Sequence, residues 1–170
     1  AGKTTLIKCI TGIYKANSGS ILVDGQEVYD NPKAKSCIGY VADYNEYIQT
    51  YNAKKMVKMY QSFYPEFDTE KFNSLNEVFE LPLEKTISSL SKGQKMRLAI
   101  MLEICHKPKY LIMDEPTNHL DFQSQDVLQR ALADYPGSYC IVSHNRQFLD
   151  PIVNKVLEFR NGYAPRLFYG

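Results

Sequence analysis

Two stretches of the chain, Tyr110-Leu111-Ile112-Met113 and Tyr139-Cys140-Ile141-Val142, are unbroken apolar runs of strand length. A strand with one wet face alternates apolar and polar residues, so an unbroken run implies burial on both faces. Each run follows a helical pattern, from Gly93 to about His106 before the first and from about Asp121 to Tyr135 before the second. Helices alternating with such strands predict an α/β fold whose parallel sheet is covered on both faces. With 44% apolar residues among 170, the chain can bury one core of ordinary domain size.

The rest of the chain divides around these runs. Leu6, Ile7, Ile10 and Ile13 form a helical stripe over Lys3 to Ile13, which the turn-rich Lys15-Ala16-Asn17-Ser18-Gly19 ends. Ser20 to Gly25 and Ile38 to Ala42 read as short strands, with Pro32, Lys33 and Lys35 on the loop between them. From Tyr44 to about Ser89 the pattern becomes that of longer amphipathic helices, one carrying Met56, Val57, Met59, Tyr60 and Phe63 and the next Phe72, Leu75, Val78 and Phe79. These stripes are expected to be core for the most part, with a remainder left as a docking face for another protein.

Charge narrows the partners. Twenty basic and nineteen acidic residues leave a formal net charge of +1, which argues against direct nucleic-acid binding. The four cysteines, Cys9, Cys37, Cys105 and Cys140, are widely spaced without a C-x-x-C pair, and are expected to be buried thiols in a reducing compartment. No apolar stretch approaches a bilayer span and no charged-then-apolar leader is visible, so a membrane link is expected to run through a partner.

The chemistry lies at the ends of the elements. Gly2-Lys3-Thr4 opens the first helix, where backbone N–H groups, the positive end of the helix dipole, an ammonium and a hydroxyl suit a phosphate chain. These residues correspond to the last defined positions of the phosphate loop G-x-x-x-x-G-K-[ST]. Asp114-Glu115 ends the first apolar strand, where parallel sheets place ligands; one carboxylate can hold Mg²⁺ through water and its neighbour can orient a nucleophilic water. His144 ends the second strand, and its imidazole could hydrogen-bond a terminal phosphate or the attacking water. Ser91-Lys92-Gly93-Gln94 opens a further helix, again a helix N-terminus suited to an anion.

In this order, Gly2-Lys3-Thr4-Thr5, Leu90-Ser91-Lys92-Gly93-Gln94, Leu111-Ile112-Met113-Asp114-Glu115-Pro116-Thr117, Leu120-Asp121 and Val142-Ser143-His144 resemble the motifs of ATP-binding cassette (ABC) nucleotide-binding domains. The resemblance implies a P-loop NTPase-type parallel sheet flanked by helices. It also implies a helical subdomain (residues 44–89) between a first part of the ATP-binding core (1–43) and a part carrying the signature helix, the carboxylate pair and the switch histidine (90–170). It implies ATP and Mg²⁺ as ligands: Gly2, Lys3, Thr4 and Thr5 on the phosphates, Thr4 and Asp114 on the metal, Glu115 as general base, and His144 as γ-phosphate sensor. Ser91, Gly93 and Gln94 would form the signature loop that acts across a dimer, and Asp121 would lie at the same seam.

Three departures accompany the resemblance. Asp43 stands where the family usually has the glutamine that links the metal site to the helical insert, and Lys92 stands where glycine is commoner. The start of the phosphate loop, its strand and an upstream aromatic for adenine do not precede Ala1, so weak ATP binding is expected of this polypeptide. The first two thirds resemble ATPase subunits of bacterial exporters, while Asp114-Glu115-Pro116-Thr117-Asn118-His119-Leu120-Asp121 onward resembles the ribosome-associated branch. The leading expectation is a transporter ATPase subunit. It dimerises with a second nucleotide-binding domain, docks a membrane permease on its helical part, and sits in the cytoplasm against the inner face of the membrane. A soluble ATPase acting on the ribosome and a fragment without turnover are the alternatives.

Overall fold

In the computed structural model, which describes residues 2–160 and 162–169, the two apolar runs form the middle and one side of a three-stranded parallel sheet. In chain order the elements are α1 (Lys3–Ile10), the hairpin strands β1 (Leu22–Val23) and β2 (Gln26–Glu27), α2 (Pro32–Lys35), β3 (Ile38–Val41), α3 (Ala53–Phe63) and α4 (Thr69–Phe79). After a short 3₁₀ turn at Ile87–Ser89 come α5 (Lys92–Cys105), β4 (Tyr110–Asp114), α6 (Phe122–Ala133), β5 (Ser138–Val142), α7 (Arg146–Leu149), β6 (Lys155–Glu158) and β7 (Arg166–Tyr169). The sheet order is β3-β4-β5, with Val41 opposite Met113 and Asp114 opposite Val142.

Side chains alternate across β4, and so divide the core in two. Leu111 and Met113 join Val41 and the apolar faces of α4, α5 and α6 in the larger part, with Phe79, Leu98, Leu102 and Leu128 almost fully buried. Ile112 faces the other way, packed with Ile38, Ala34 and Ile7 of α1. The helices α3 and α4 lie between β3 and α5 in sequence, capped by Asn52 and Asp68. As expected of a mixed stripe, Met56, Phe72, Leu75 and Phe79 are buried while Phe63 and Val78 face solvent.

Several expectations need correction. The first helix stops at Ile10 rather than Ile13, because the Thr11 hydroxyl turns back onto the Ile7 carbonyl at 3.0 Å and Gly12 reverses the chain. Residues 20–25 do hold a short strand, but only Leu22–Val23 form it, paired with β2 in a small hairpin. Pro32, Lys33 and Lys35 form a helical turn, since Asn31 caps it and proline suits its first position. The second apolar run is not covered on both faces: Ser138 and Cys140, which share one face of β5, are exposed. Of the four cysteines only Cys105 is buried, its thiol pushed up to about 12 by that burial; Cys9 and Cys37 are half-buried.

Candidate functional site

The three parallel strands end side by side, and the residues singled out in the sequence lie at those ends. Asp114 is the last residue of β4 and is 4% exposed. Glu115 follows with φ 51, a conformation disfavoured for a residue with a Cβ and common at functional sites. Its amide donates to the Val142 carbonyl at 2.8 Å, which fixes the turn against β5. His144, just beyond β5, brings Nε2 to 3.4 Å from Glu115 Oε1; the imidazole is largely in solvent and the carboxylate largely buried. The loop that carries His144 is held on both sides. Ser143 Oγ lies 3.1 Å from Thr117 Oγ1 and accepts the Asn145 amide, while Asn145 Nδ2 donates to Gln125 of α6 at 3.0 Å.

On the α1 face, Ile7 packs with Ile112, one helical turn after Lys3 and two residues before Asp114. Lys3, half-buried in the first turn, therefore belongs to the same side of the sheet as Asp114. Gly2 caps this helix at φ 92, with nothing within 4 Å of where a Cβ would stand, so the backbone is turned left-handed and open in front of the exposed Thr4 and Thr5. Tyr40 of β3 shares this face. Burial and then the Asp114 and Asp43 charges push its phenol up to about 12. Asp43 is exposed, and accepts from Asn118 Nδ2 at 3.1 Å.

A second cluster surrounds the start of α5. Ser91 and Gln94 form a capping box, Ser91 Oγ accepting the Gln94 amide at 3.1 Å and Gln94 Oε1 accepting the Ser91 amide at 3.0 Å. A hydroxyl that accepts still has its own proton to donate, so the exposed Ser91 can serve an anion without losing its cap. Asp121 caps α6 and pairs with Arg97 of α5. Among the described residues no hydrogen bond joins Ser91, Gly93 or Gln94 to Gly2, Lys3, Thr4 or Thr5. The structure thus gathers Asp43, Asp114, Glu115 and His144 at the strand ends with α1 on one face, while Ser91 and Asp121 cap α5 and α6 where Gly93 meets the loop that follows Glu115. Tyr40, Asn118 and Ser143 carry no assigned role in the sequence; Ser143 lies inside the Val142-Ser143-His144 motif and Asn118 inside the stretch from Asp114 to Asp121, which is the one signal that points to them.

The donors fit Mg²⁺. Thr4 and Asp114 offer the hard oxygen ligands that this ion takes, and the buried Asp114 carboxylate forms no ion pair with a cation of the chain among the described residues. Among the described residues no group of three or more His, Cys, Asp or Glu side chains is arranged to hold a metal.

The family pattern described as "ABC transporter" matches residues 1–118. The chain belongs to the ABC transporter family. It is 34% identical over 160 residues to the ABC transporter ATP-binding protein YtrB of Bacillus subtilis (strain 168), a match covering 92% of this chain and 55% of that protein. It is 41% identical over 83 residues to the energy-dependent translational throttle protein EttA of Mycobacterium tuberculosis (strain CDC 1551 / Oshkosh), 49% of this chain and 15% of that protein. The chain thus spans about half or less of these curated relatives. Its fold matches the solved structure of the ATP binding subunit of an ABC transporter with a TM-score of 0.88 at 19% identity, covering 99% of this chain and 74% of that one. It is accordingly an ABC ATP-binding domain with the expected α/β architecture. Among the described residues no helix is long and apolar enough to cross a membrane.

Proposed function

We propose that this ABC domain binds and hydrolyses Mg-ATP and drives a membrane permease through ATP-dependent dimerisation. The observation that carries the reading is the His144–Glu115 pair, 3.4 Å apart beside the buried Asp114 on the face that α1 covers. Lys3 and the open backbone at Gly2 bind the β- and γ-phosphates, with Thr5 supporting them. Glu115, held by its amide and mostly buried, takes a proton from the attacking water, and the exposed imidazole of His144 is free to meet the γ-phosphate. Mg²⁺, held by Thr4 and Asp114, would offset charge on the phosphates. Ser91, Gly93 and Gln94 serve the nucleotide of a second copy, with Asp121 at the seam, and α3 and α4 form the permease side. In this reading residues 1–43 and 90–170 are the ATP core and 44–89 the helical part.

The test is titration with a fluorescent ATP analogue, with and without Mg²⁺, on the chain and on Lys3→Ala. Saturable Mg-dependent binding, weakened by about tenfold or more in the variant, is expected; equal affinities would remove Lys3 from the phosphates and end the reading. The 41% identity to EttA favours a second reading, a soluble ATPase acting in translation. ATP-dependent co-sedimentation with purified ribosomes would support it over the permease.

A further inference from the structure

On the face of the sheet away from α1 lies a buried carboxylate that no step above uses. Glu103 of α5 is 8% exposed. Its Oε1 accepts the Tyr60 hydroxyl of α3 at 2.7 Å, and its Oε2 accepts the Tyr40 amide of β3 at 3.0 Å and lies 2.9 Å from His106 Nε2. His106 is 4% exposed, stacks on Tyr64, the residue that follows α3, at 4.1 Å, and its Nδ1 has no hydrogen-bond partner among the described residues. Close approach is possible because position 39 is glycine: a Cβ there would stand 3.0 Å from Glu103 Oε2.

A carboxylate is an expensive way to fill a core, since an apolar side chain of similar volume is commonly as good or better for stability. Its distinctive property is direction, because it accepts from two elements at once. Burial and then the Glu103 charge hold the Tyr60 phenol above its ordinary range, so Tyr60 remains a donor. The far end of β3 leads to the candidate site. Tyr40 is three residues before Asp43, the Asn45 side chain clasps both the amide and the carbonyl of Ala42, and Asp43 is held by Asn118 in the loop that starts at Glu115.

We propose that Glu103 is a positioning residue that ties Tyr60 of α3 to the Tyr40 amide of β3, so that α3 and the strand leading to Asp43 move as one body. The link rests on the reading of the strand ends as the ATP site. It gives α3 a route to that site through the packed interior, separate from the surface loop that follows Asp43.

The experiment measures amide hydrogen exchange of residues 56–63 with and without saturating Mg-ATP, alongside nucleotide affinity. In the unaltered chain, Mg-ATP should slow exchange in α3 several-fold. Tyr60→Phe and Glu103→Leu should lose that response while affinity stays within about twofold. Glu103→Gln should keep it, because the amide oxygen still accepts the Tyr40 N–H and the amide nitrogen can donate to the Tyr60 oxygen. Ile100→Val, which loosens α5 without touching the network, should keep the response at a similar loss of melting temperature. A response that persists in Tyr60→Phe overturns the proposal, as does its loss in Ile100→Val; if Glu103→Leu does not fold, Tyr60→Phe alone decides. Binding without any α3 response fails this proposal only, whereas absence of ATP binding fails the site reading and this proposal with it.

Discussion

A Cβ on Gly93 would stand 2.6 Å from the carbonyl oxygen of His119, so the first turn of α5 rests directly on the loop that links β4 to α6. Two effects oppose each other in Gly93→Ala. Alanine favours a helix over glycine by about 1 kcal/mol, while a clash with a backbone atom costs about 1–3 kcal/mol. His119 cannot swing aside cheaply, because the Leu120 amide is bonded to the Thr117 carbonyl at 3.2 Å and Asp121 is fixed as the α6 cap. The clash should win. Urea unfolding of Gly93→Ala is expected to show a lower midpoint at an unchanged slope.

Ser91 separates a structural role from a chemical one. Ser91→Ala removes an N-cap and half of a capping box, and should cost about 1 kcal/mol in urea unfolding. Ser91→Asp keeps an N-cap acceptor and should restore that stability. If the hydroxyl meets a phosphate across a dimer, the aspartate should nonetheless abolish ATP-dependent association in light scattering, because it places a negative charge against another. Association that survives Ser91→Asp would leave Ser91 as a cap alone.

Glu115→Gln should retain nucleotide binding and lose phosphate release by about a hundredfold or more, since the amide keeps the shape and the contact to His144 but cannot take a proton. Trapped nucleotide should then hold the dimer together, visible as a doubled mass in light scattering. Unchanged phosphate release would move the base elsewhere.

What was legible in the sequence followed from local rules. The runs that became β4 and β5, the helix starts at Ser91 and near Asp121 and the carboxylates at Asp114 and Glu115 depend on neighbours within a few residues. What was missed depends on distant partners. Glu103 meets residues 43 and 63 positions away, and Asn118 meets Asp43 across 75. No period or spacing announces such pairs. An apolar run such as that around Cys140 suggests burial on both faces, whereas Ser138 and Cys140 stand on a face of β5 that is left open there. The four residues of α2 are too few for a helical period to register in the sequence.

Alkaline pH probes the Glu103 network without nucleotide. Burial, and next the Glu103 charge, raise the Tyr47 and Tyr60 phenols above their ordinary value of 10.0. The folded chain therefore keeps protons that the unfolded chain releases above that value, so stability present in full below pH 10 is lost as pH rises past it. Each such phenol should contribute a slope that grows towards about 1.4 kcal/mol per pH unit as pH rises past that value. Urea midpoints measured from about pH 9 to 11 should fall steeply for the unaltered chain and less steeply for Tyr60→Phe, by about one phenol's share. Parallel slopes would mean that the Tyr60 hydroxyl reaches water in the folded protein, which its 2.7 Å bond to Glu103 Oε1 argues against.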